Sequence, residues 1–249
     1  MARFNNPTLS HQHSRAVMDL IVEHDDFLDS VSTVADFGCG AGFDIQWWAN
    51  LHDREDPPKP RNFLCYAVDN NDGAWGVDPH DRITFIKGDF EEKLLSRKVD
   101  ILWCHDAFQY ATDPLNTLRV FNQQMDVNGM LYICIPMLIN SFNNRWRMEG
   151  RSFELYNHTP LSMLYMLALS GFDTRHAYMF KGPNDPWLHI AIHKNDERFF
   201  DPKVMSWHDL ANEGLLHDSV IESISRYGYP LHNEIIYPWL DHENHFFSA

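Results

Sequence analysis

Residues 34–42 read VADFGCGAG, so Gly38, Gly40 and Gly42 directly follow a short β-rich run that carries Asp36. A bend without β-carbons lets the main chain approach a ligand that side chains would obstruct. A pyrophosphate could sit at such a strand-to-helix turn. The dinucleotide fingerprint GxGxxG, however, would need its third glycine at Phe43. An acid just ahead of the glycines also suits a cationic ligand better than a phosphate. Asp69 and Asp89 extend the theme, each following a strand-like run, with Asp89 inside Gly88-Asp89-Phe90. His105, beside Asp106, and His158, before Thr159-Pro160, are the titratable candidates for moving a proton.

The other histidines carry less. His11 and His13, and His242 and His245 near Asp241 and Glu243, lack a third histidine in register, and they read as surface groups rather than a zinc site. Cys39, Cys65, Cys104 and Cys134 form no CxxC pair, and each lies in or just after a strand-like run, as packed, reduced thiols do.

The elements that position these residues alternate. A helix is expected over residues 9–28, with Val17, Leu20, Ile21, His24 and Leu28 on one face. Strands follow at 31–37, 62–69, 82–87, 99–104 and 130–135, with helices at 43–51 and 113–125. Asn128-Gly129 should turn the chain into the fifth strand. Asp106 is placed to cap a following helix or to orient His105. Residues 52–61 carry three prolines and form an exposed loop. A helix at 160–170 stops at Gly171, and residues 172–180 and 187–193 read as an antiparallel hairpin. Two helix-like segments, 206–213 and 218–227, precede an aromatic tail. Alternating strands and helices predict an α/β fold: a Rossmann-like, seven-stranded, mostly parallel sheet with helices on both faces. The expected organisation is an amino-terminal helical segment at 1–29, a catalytic domain at 30–195, and a helical, aromatic carboxyl-terminal extension at 196–249.

Composition excludes several classes. Of 249 residues, 44% are hydrophobic and 22% charged, as in a folded protein. A formal charge of −15 repels a phosphate backbone, so a nucleic-acid partner is not expected. No run approaches the length of about 20 apolar residues that crosses a membrane, and residues 1–10 carry no signal-peptide core. A soluble, cytoplasmic protein is expected.

The chain resembles the class I S-adenosylmethionine-dependent methyltransferases over about residues 30–194, in the small-molecule, ubiquinone-biosynthesis-like type. VADFGCGAG is similar to their first motif. VDILWCHDAFQY at 99–110, LRVFNQQMDVNGMLYICIP at 118–136 and YNHTPLSMLYMLALSGF at 156–172 match later motifs in order. The resemblance implies S-adenosyl-L-methionine as cofactor and S-adenosyl-L-homocysteine as product. It implies that Gly38, Cys39, Gly40 and Gly42 hold the methionine part and that Asp36 orients the loop and the amino group. By the same likeness Asp69, with Asn70, meets the ribose hydroxyls, Asp89 the adenine amino group, and Phe90 the ring. Asp36 and Asp69 stand further apart than is usual in the family, and the proline-rich loop at 57–60 absorbs the surplus. Tyr110 stands where many relatives have a histidine, and no catalytic role is carried over to it.

On this resemblance the expected reaction moves a methyl group to a small-molecule O, N or C nucleophile. His105 would serve as a base or pack against the cofactor, and His158 could reach the pocket from the substrate side. Trp47 and Trp48 would mix helix packing with pocket contact. Arg145, Arg147 and Arg151 would form part of a lid over an anionic group or a solvated basic face. The aromatics of the tail, Trp207, Tyr229, Tyr237, Trp239, Phe246 and Phe247, would dock on the domain or on a second copy in a homodimer. Methylation of a protein side chain, an idle cofactor-binding domain and a nicotinamide oxidoreductase are the alternatives.

Overall fold

The computed structural model describes residues 14, 15, 17, 26–53, 57–71, 81–136, 156, 158–180, 187–231 and 235. Seven strands form one sheet: β1 (Thr33–Phe37), β2 (Leu64–Asp69), β3 (Ile83–Lys87), β4 (Val99–His105), β5 (Met125–Pro136), β6 (Tyr178–Phe180) and β7 (Trp187–His193). Their order is β3-β2-β1-β4-β5-β7-β6. The first five run parallel, and β7 lies antiparallel to both β5 and β6. The chain leaves β1 outward through β2 and β3, then returns to β4 on the other side of β1. Where the order reverses, the connections after β1 and β4 diverge and leave a crevice at the strands' carboxyl ends.

Central strands buried on both faces must be apolar nearly throughout. All five residues of β1 are buried, and in β4 only Asp100 is partly exposed. Alternation then assigns each residue to a face. Ala35, Phe37, Leu102, Cys104, Leu131 and Ile133 join one apolar core. That core is covered by α2 (Pro114–Gln124), α3 (Pro160–Leu169), α4 (Trp207–Asn212) and α5 (Asp218–Tyr227), through Leu118, Phe121, Leu164, Leu210 and Ile224. Val34, Ile101, Trp103, Tyr132 and Cys134 face the other way, against α1 (Phe43–Ala49), Val17 and Leu28.

Local chemistry sets the ends of the helices. Asp113 caps α2 by accepting from Asn116 N, with Pro114 at the first helical position. Thr159 and Ser162 form a capping box on α3, and Ser206 and Asp209 form one on α4. Gly171 ends α3 with φ +80°, and a Cβ there would come within 2.5 Å of Asp196 O.

Three expectations need correction. The fifth strand begins at Met125, not at 130: Asn128, with φ 64°, and Gly129 sit inside it, beside the register shift between Val99 and Ile101. Gly129 has no room for a side chain, because a Cβ would meet Asp100 O and Asp126 O at 2.9 Å each. The expected strand at 172–180 is strand only at Tyr178–Phe180, because Asp173 accepts from Arg175 N and turns Thr174–His176 into a 3-10 turn. Asp106 makes no helix cap; its Oδ1 accepts from the Gln109 side-chain amide at 2.5 Å. The basic group 145, 147 and 151, both histidine pairs, and Leu20, Ile21, His24, Tyr237, Trp239, Phe246 and Phe247 lie outside the described residues.

The end of α2 depends on one buried cation. Lys194 Nζ donates to Asn122 O and Met125 O at 2.8 Å each and to Glu197 Oε1 at 2.9 Å. Lys194→Met removes the side-chain donor from both carbonyls, leaving Asn122 O with the Met125 N–H and Met125 O without the lysine, at a cost of about 1–3 kcal/mol in all. Urea unfolding should show a loss of about 2 kcal/mol in this variant.

Candidate functional site

The turn from β1 into α1 is left-handed at Gly38 (φ 76°), Gly40 (φ 49°) and Gly42 (φ 73°). Gly38 N and Cys39 N both donate to Val68 O, at 2.8 and 3.0 Å, which ties the bend to β2. A Cβ on Gly38 would lie 2.3 Å from Ala107 Cβ, so the bend rests directly on the loop after β4. At Gly40 a Cβ would meet nothing within 4 Å. The floor is therefore tight at one glycine and open at the next. Asp69 forms the wall: its Oδ2 accepts from Gly40 N at 2.9 Å and its Oδ1 from Asn71 N at 2.8 Å. Asn70 beside it is exposed.

Beneath this bend lie two buried acids. Asp36 is 2% exposed. Burial, then the nearby charges of Asp44 and Asp69, push its carboxyl well above the ordinary aspartate range, against a backbone hydrogen bond from Ile45. Asp44, on α1, is 3% exposed. Its Oδ2 accepts from Trp103 Nε1 at 3.1 Å and lies 3.1 Å from His105 Nδ1, and Ser14 Oγ approaches both oxygens at 3.4 Å. Trp103 is held in turn by stacking on Tyr132, with ring centroids 3.5 Å apart, and Tyr132 Oη is 2.7 Å from His189 Nδ1. Trp48 fills the space behind, edge-on to Trp103 at 5.6 Å and fully buried, while Trp47 is half-buried against it. Burial, reinforced by Asp36 and Asp69, pushes the Cys39 thiol up, so it stays protonated and is no nucleophile.

The third strand supplies a neighbouring wall. Gly88 N donates to Asp69 O at 3.1 Å, which sets Asp89 and Phe90 just outside β2. Asp89 is exposed, with Oδ1 accepting from Glu91 N. Phe90 leans on Phe121, ring centroids 6.2 Å apart. Glu91 fixes this wall to the start of α2: its carboxylate accepts from Thr112 N, Thr112 Oγ1, Asp113 N and Thr117 Oγ1.

Contacts thus join Asp36, Gly38, Cys39, Gly40, Gly42, Asp69 and His105 into one constellation, with Asp89 and Phe90 at its edge. His158 is placed differently. Its ring packs on Phe108, centroids 5.6 Å apart, on the opposite face of the sheet from His105. Burial lowers its pKa to about 4, so it is neutral at pH 7, and its Nε2 is buried without a hydrogen-bond partner. Asp44 escaped the sequence reading because it lies in a helix among apolar residues. Its one signal was an acid in FDIQWW, where a core-facing position should be apolar.

No family model matches the sequence, and neither does any curated protein. Solved structures do match. Magnesium protoporphyrin IX methyltransferase from Synechocystis, solved with bound SAH, superposes with a TM-score of 0.57 at 15% identity. That match covers 78% of this chain and 91% of that one. Human N-acetylserotonin methyltransferase, in complex with SAM, gives 0.52 at 16% identity over 75% of this chain and 56% of its own. An O-methyltransferase family protein from Burkholderia thailandensis gives 0.54 at 14%, over 74% and 56%. The fold is that of the class I methyltransferases. At these identities the likeness extends to architecture alone.

Glu91 gives the site a pH dependence. Burial opposes its charge, but the hydrogen bonds from Thr112, Asp113 and Thr117 outweigh it and hold the carboxyl below the ordinary glutamate range. A depressed carboxyl adds stability above its unfolded pKa, and that share is lost as pH falls through the folded value. Glu91→Gln should therefore melt below wild type at pH 7, and thermal melts should converge as pH drops below about 4.

Proposed function

We propose that this chain binds S-adenosyl-L-methionine at the glycine bend and transfers its methyl group to a small-molecule nucleophile. One observation carries the reading: the buried Asp36, crowded by Asp44 and Asp69, lies against a bend open at Gly40. Acids kept this close beside the bend favour a cation there, and they disfavour the pyrophosphate of a nicotinamide cofactor.

In this reading Gly38, Cys39, Gly40 and Gly42 lie along the methionine part, with Asp36 turned toward its cationic end. Asp69 and Asn70 take the ribose hydroxyls, Asp89 the adenine amino group, and Phe90 one side of the ring. Among the described residues each Asp69 oxygen accepts one hydrogen bond, which leaves lone pairs for this role. When bound, the cofactor supplies an electrophilic methyl on a positively charged sulfur that leaves as a neutral thioether, S-adenosyl-L-homocysteine. The chain must then align the acceptor, exclude water and take up any proton the acceptor loses. His105, at the end of β4, sits where it can accept that proton. His158, neutral and on the far side of Phe108, is suited to hydrogen bonding rather than to proton uptake. The likeness of α3 and its capping Thr159-Pro160 to small-molecule enzymes supports reading the acceptor as a metabolite rather than a polypeptide.

Isothermal titration calorimetry tests the reading. S-adenosyl-L-methionine should bind with micromolar affinity, and NADH should not bind. Asp69→Ala should weaken binding by about 1–3 kcal/mol, roughly 5- to 150-fold, by removing the ribose acceptor. Unchanged affinity in Asp69→Ala would overturn the ribose assignment. NADH binding in place of S-adenosyl-L-methionine would overturn the function.

A further inference from the structure

We propose that Asp44 is a positioning residue that makes His105 the proton acceptor for hydroxyl or ammonium methyl acceptors. This rests on the methyltransferase reading above. The geometry is that of an oriented imidazole. His105 Nδ1 lies 3.1 Å from Asp44 Oδ2, with side chains 4% and 3% exposed. A carboxylate at Nδ1 keeps the ring proton on that nitrogen, leaves the lone pair on Nε2, and stabilises the cation formed when Nε2 takes a proton.

Asp44 is itself fixed. Trp103 donates its indole N–H to the same Oδ2, Ser14 approaches from the amino-terminal segment, and the Tyr132 ring clamps Trp103. Gly42, left-handed with φ 73°, precedes α1 and directs Asp44 under the bend. The turn that shapes the cofactor cradle therefore also places the carboxylate behind His105. On the other side, Asp106 (φ 53°) turns the chain sharply after β4, which fixes His105 at the strand end. Among the described residues, the titratable groups around the pair include Asp36 of β1, which acts on Asp44, Cys104 and Asp106 beside His105, and Cys134, its register partner on β5. The two thiols are buried, and Cys104 is held protonated.

The reaction balances without another reagent. The acceptor oxygen or nitrogen forms its bond to the methyl carbon as the carbon–sulfur bond breaks, and that bonding pair stays on sulfur. A hydroxyl's proton passes to His105 Nε2 as that bond forms, and an ammonium's proton passes there beforehand, which frees the nitrogen lone pair to attack; either way an imidazolium is left beside the Asp44 carboxylate. Solvent removes the proton after product leaves. Acceptors already ionised, such as carboxylates and thiolates, gain little from this arrangement, so the expected class is phenols, alcohols or protonated amines.

Two measurements test it. Proton NMR of the ligand-free protein should show a far-downfield Nδ1–H resonance, retained in Trp103→Phe and lost in both Asp44→Asn and His105→Gln. With S-adenosyl-L-methionine and a phenol or amine acceptor, Asp44→Asn should lower kcat about 100-fold. KM should change far less, and the acidic limb of the kcat/KM profile should move. Absence of the resonance from folded wild-type protein would overturn the pairing. A wild-type kcat and pH profile in Asp44→Asn, with the cofactor still bound, would overturn the proposal while leaving the methyltransferase reading intact. Failure of wild type to bind the cofactor would overturn both. If Asp44→Asn does not fold, His105→Gln and Trp103→Phe still decide the NMR assignment.

Discussion

Two carboxylates buried on one side of a sheet are the constraint around which this protein is arranged. Asp36 and Asp44 repel each other in a medium that disfavours charge, and neither would be tolerated without specific compensation. Asp44 has an indole N–H, a hydroxyl and an imidazole against it. Asp36 has, among the described residues, a backbone donor at Ile45, and burial with its neighbours' charge resists its ionisation. The compensation is unequal: the acid with more partners sits deeper in the side-chain network, and the acid with fewer lies nearest the glycine bend. A cation arriving at that bend would relieve a strain already present. Ligand affinity in such an arrangement comes from the folded protein's own electrostatic tension, not only from new contacts.

Strand β4 shows how one sequence serves stability and chemistry together. Ile101, Trp103 and His105 project to one face, and Leu102 and Cys104 to the other. On the second face the strand meets α2, α3 and the carboxyl-terminal helices in a core of apolar side chains, which fixes the sheet. On the first face the same strand moves from aliphatic to aromatic to titratable as it nears its carboxyl end. Residues at the middle of the strand are locked by packing, and the locked Trp103 in turn holds the acid that faces His105. A rigid support of this kind would hold His105, in its proposed role, within the narrow range of positions that proton transfer demands.

Much of this was legible because the relevant signals are local. Gly38, Gly40 and Gly42 announce a bend, and an acid after an apolar run announces a carboxylate at a strand end, whatever the rest of the chain does. The missing parts depend on tertiary placement. Asp44 looks like an ordinary first-turn helix acid until α1 is laid against β4. The start of β5 at Met125 is set by pairing with Val99, which overrides the Asn128-Gly129 turn signal. The break in 172–180 follows from Asp173, whose side chain competes with strand pairing by bonding its own backbone. His158 shares with His105 a place beside a motif, yet Phe108 sends it to the other side of the sheet.

The same distinction explains how the fold persists at 12–16% identity to its structural neighbours. The bend needs few residue types: an acid at the end of β2, a glycine where a Cβ would strike Ala107, and enough apolar strand to bury both faces. Sequence between these points is free to lengthen where it does not reach the crevice. The long connection from α1 to β2 does this at the amino-terminal ends of β1 and β2. His52 pairs with Pro60, Lys59 N bonds Asp53 Oδ1, and Arg61 bonds Leu28 O and Asp29, so the insertion is closed on itself and anchored away from the bend. The spacing of Asp36 and Asp69 along the chain can therefore grow while Gly40 N still reaches Asp69, because distance through the sheet is set by the register of β1 on β2.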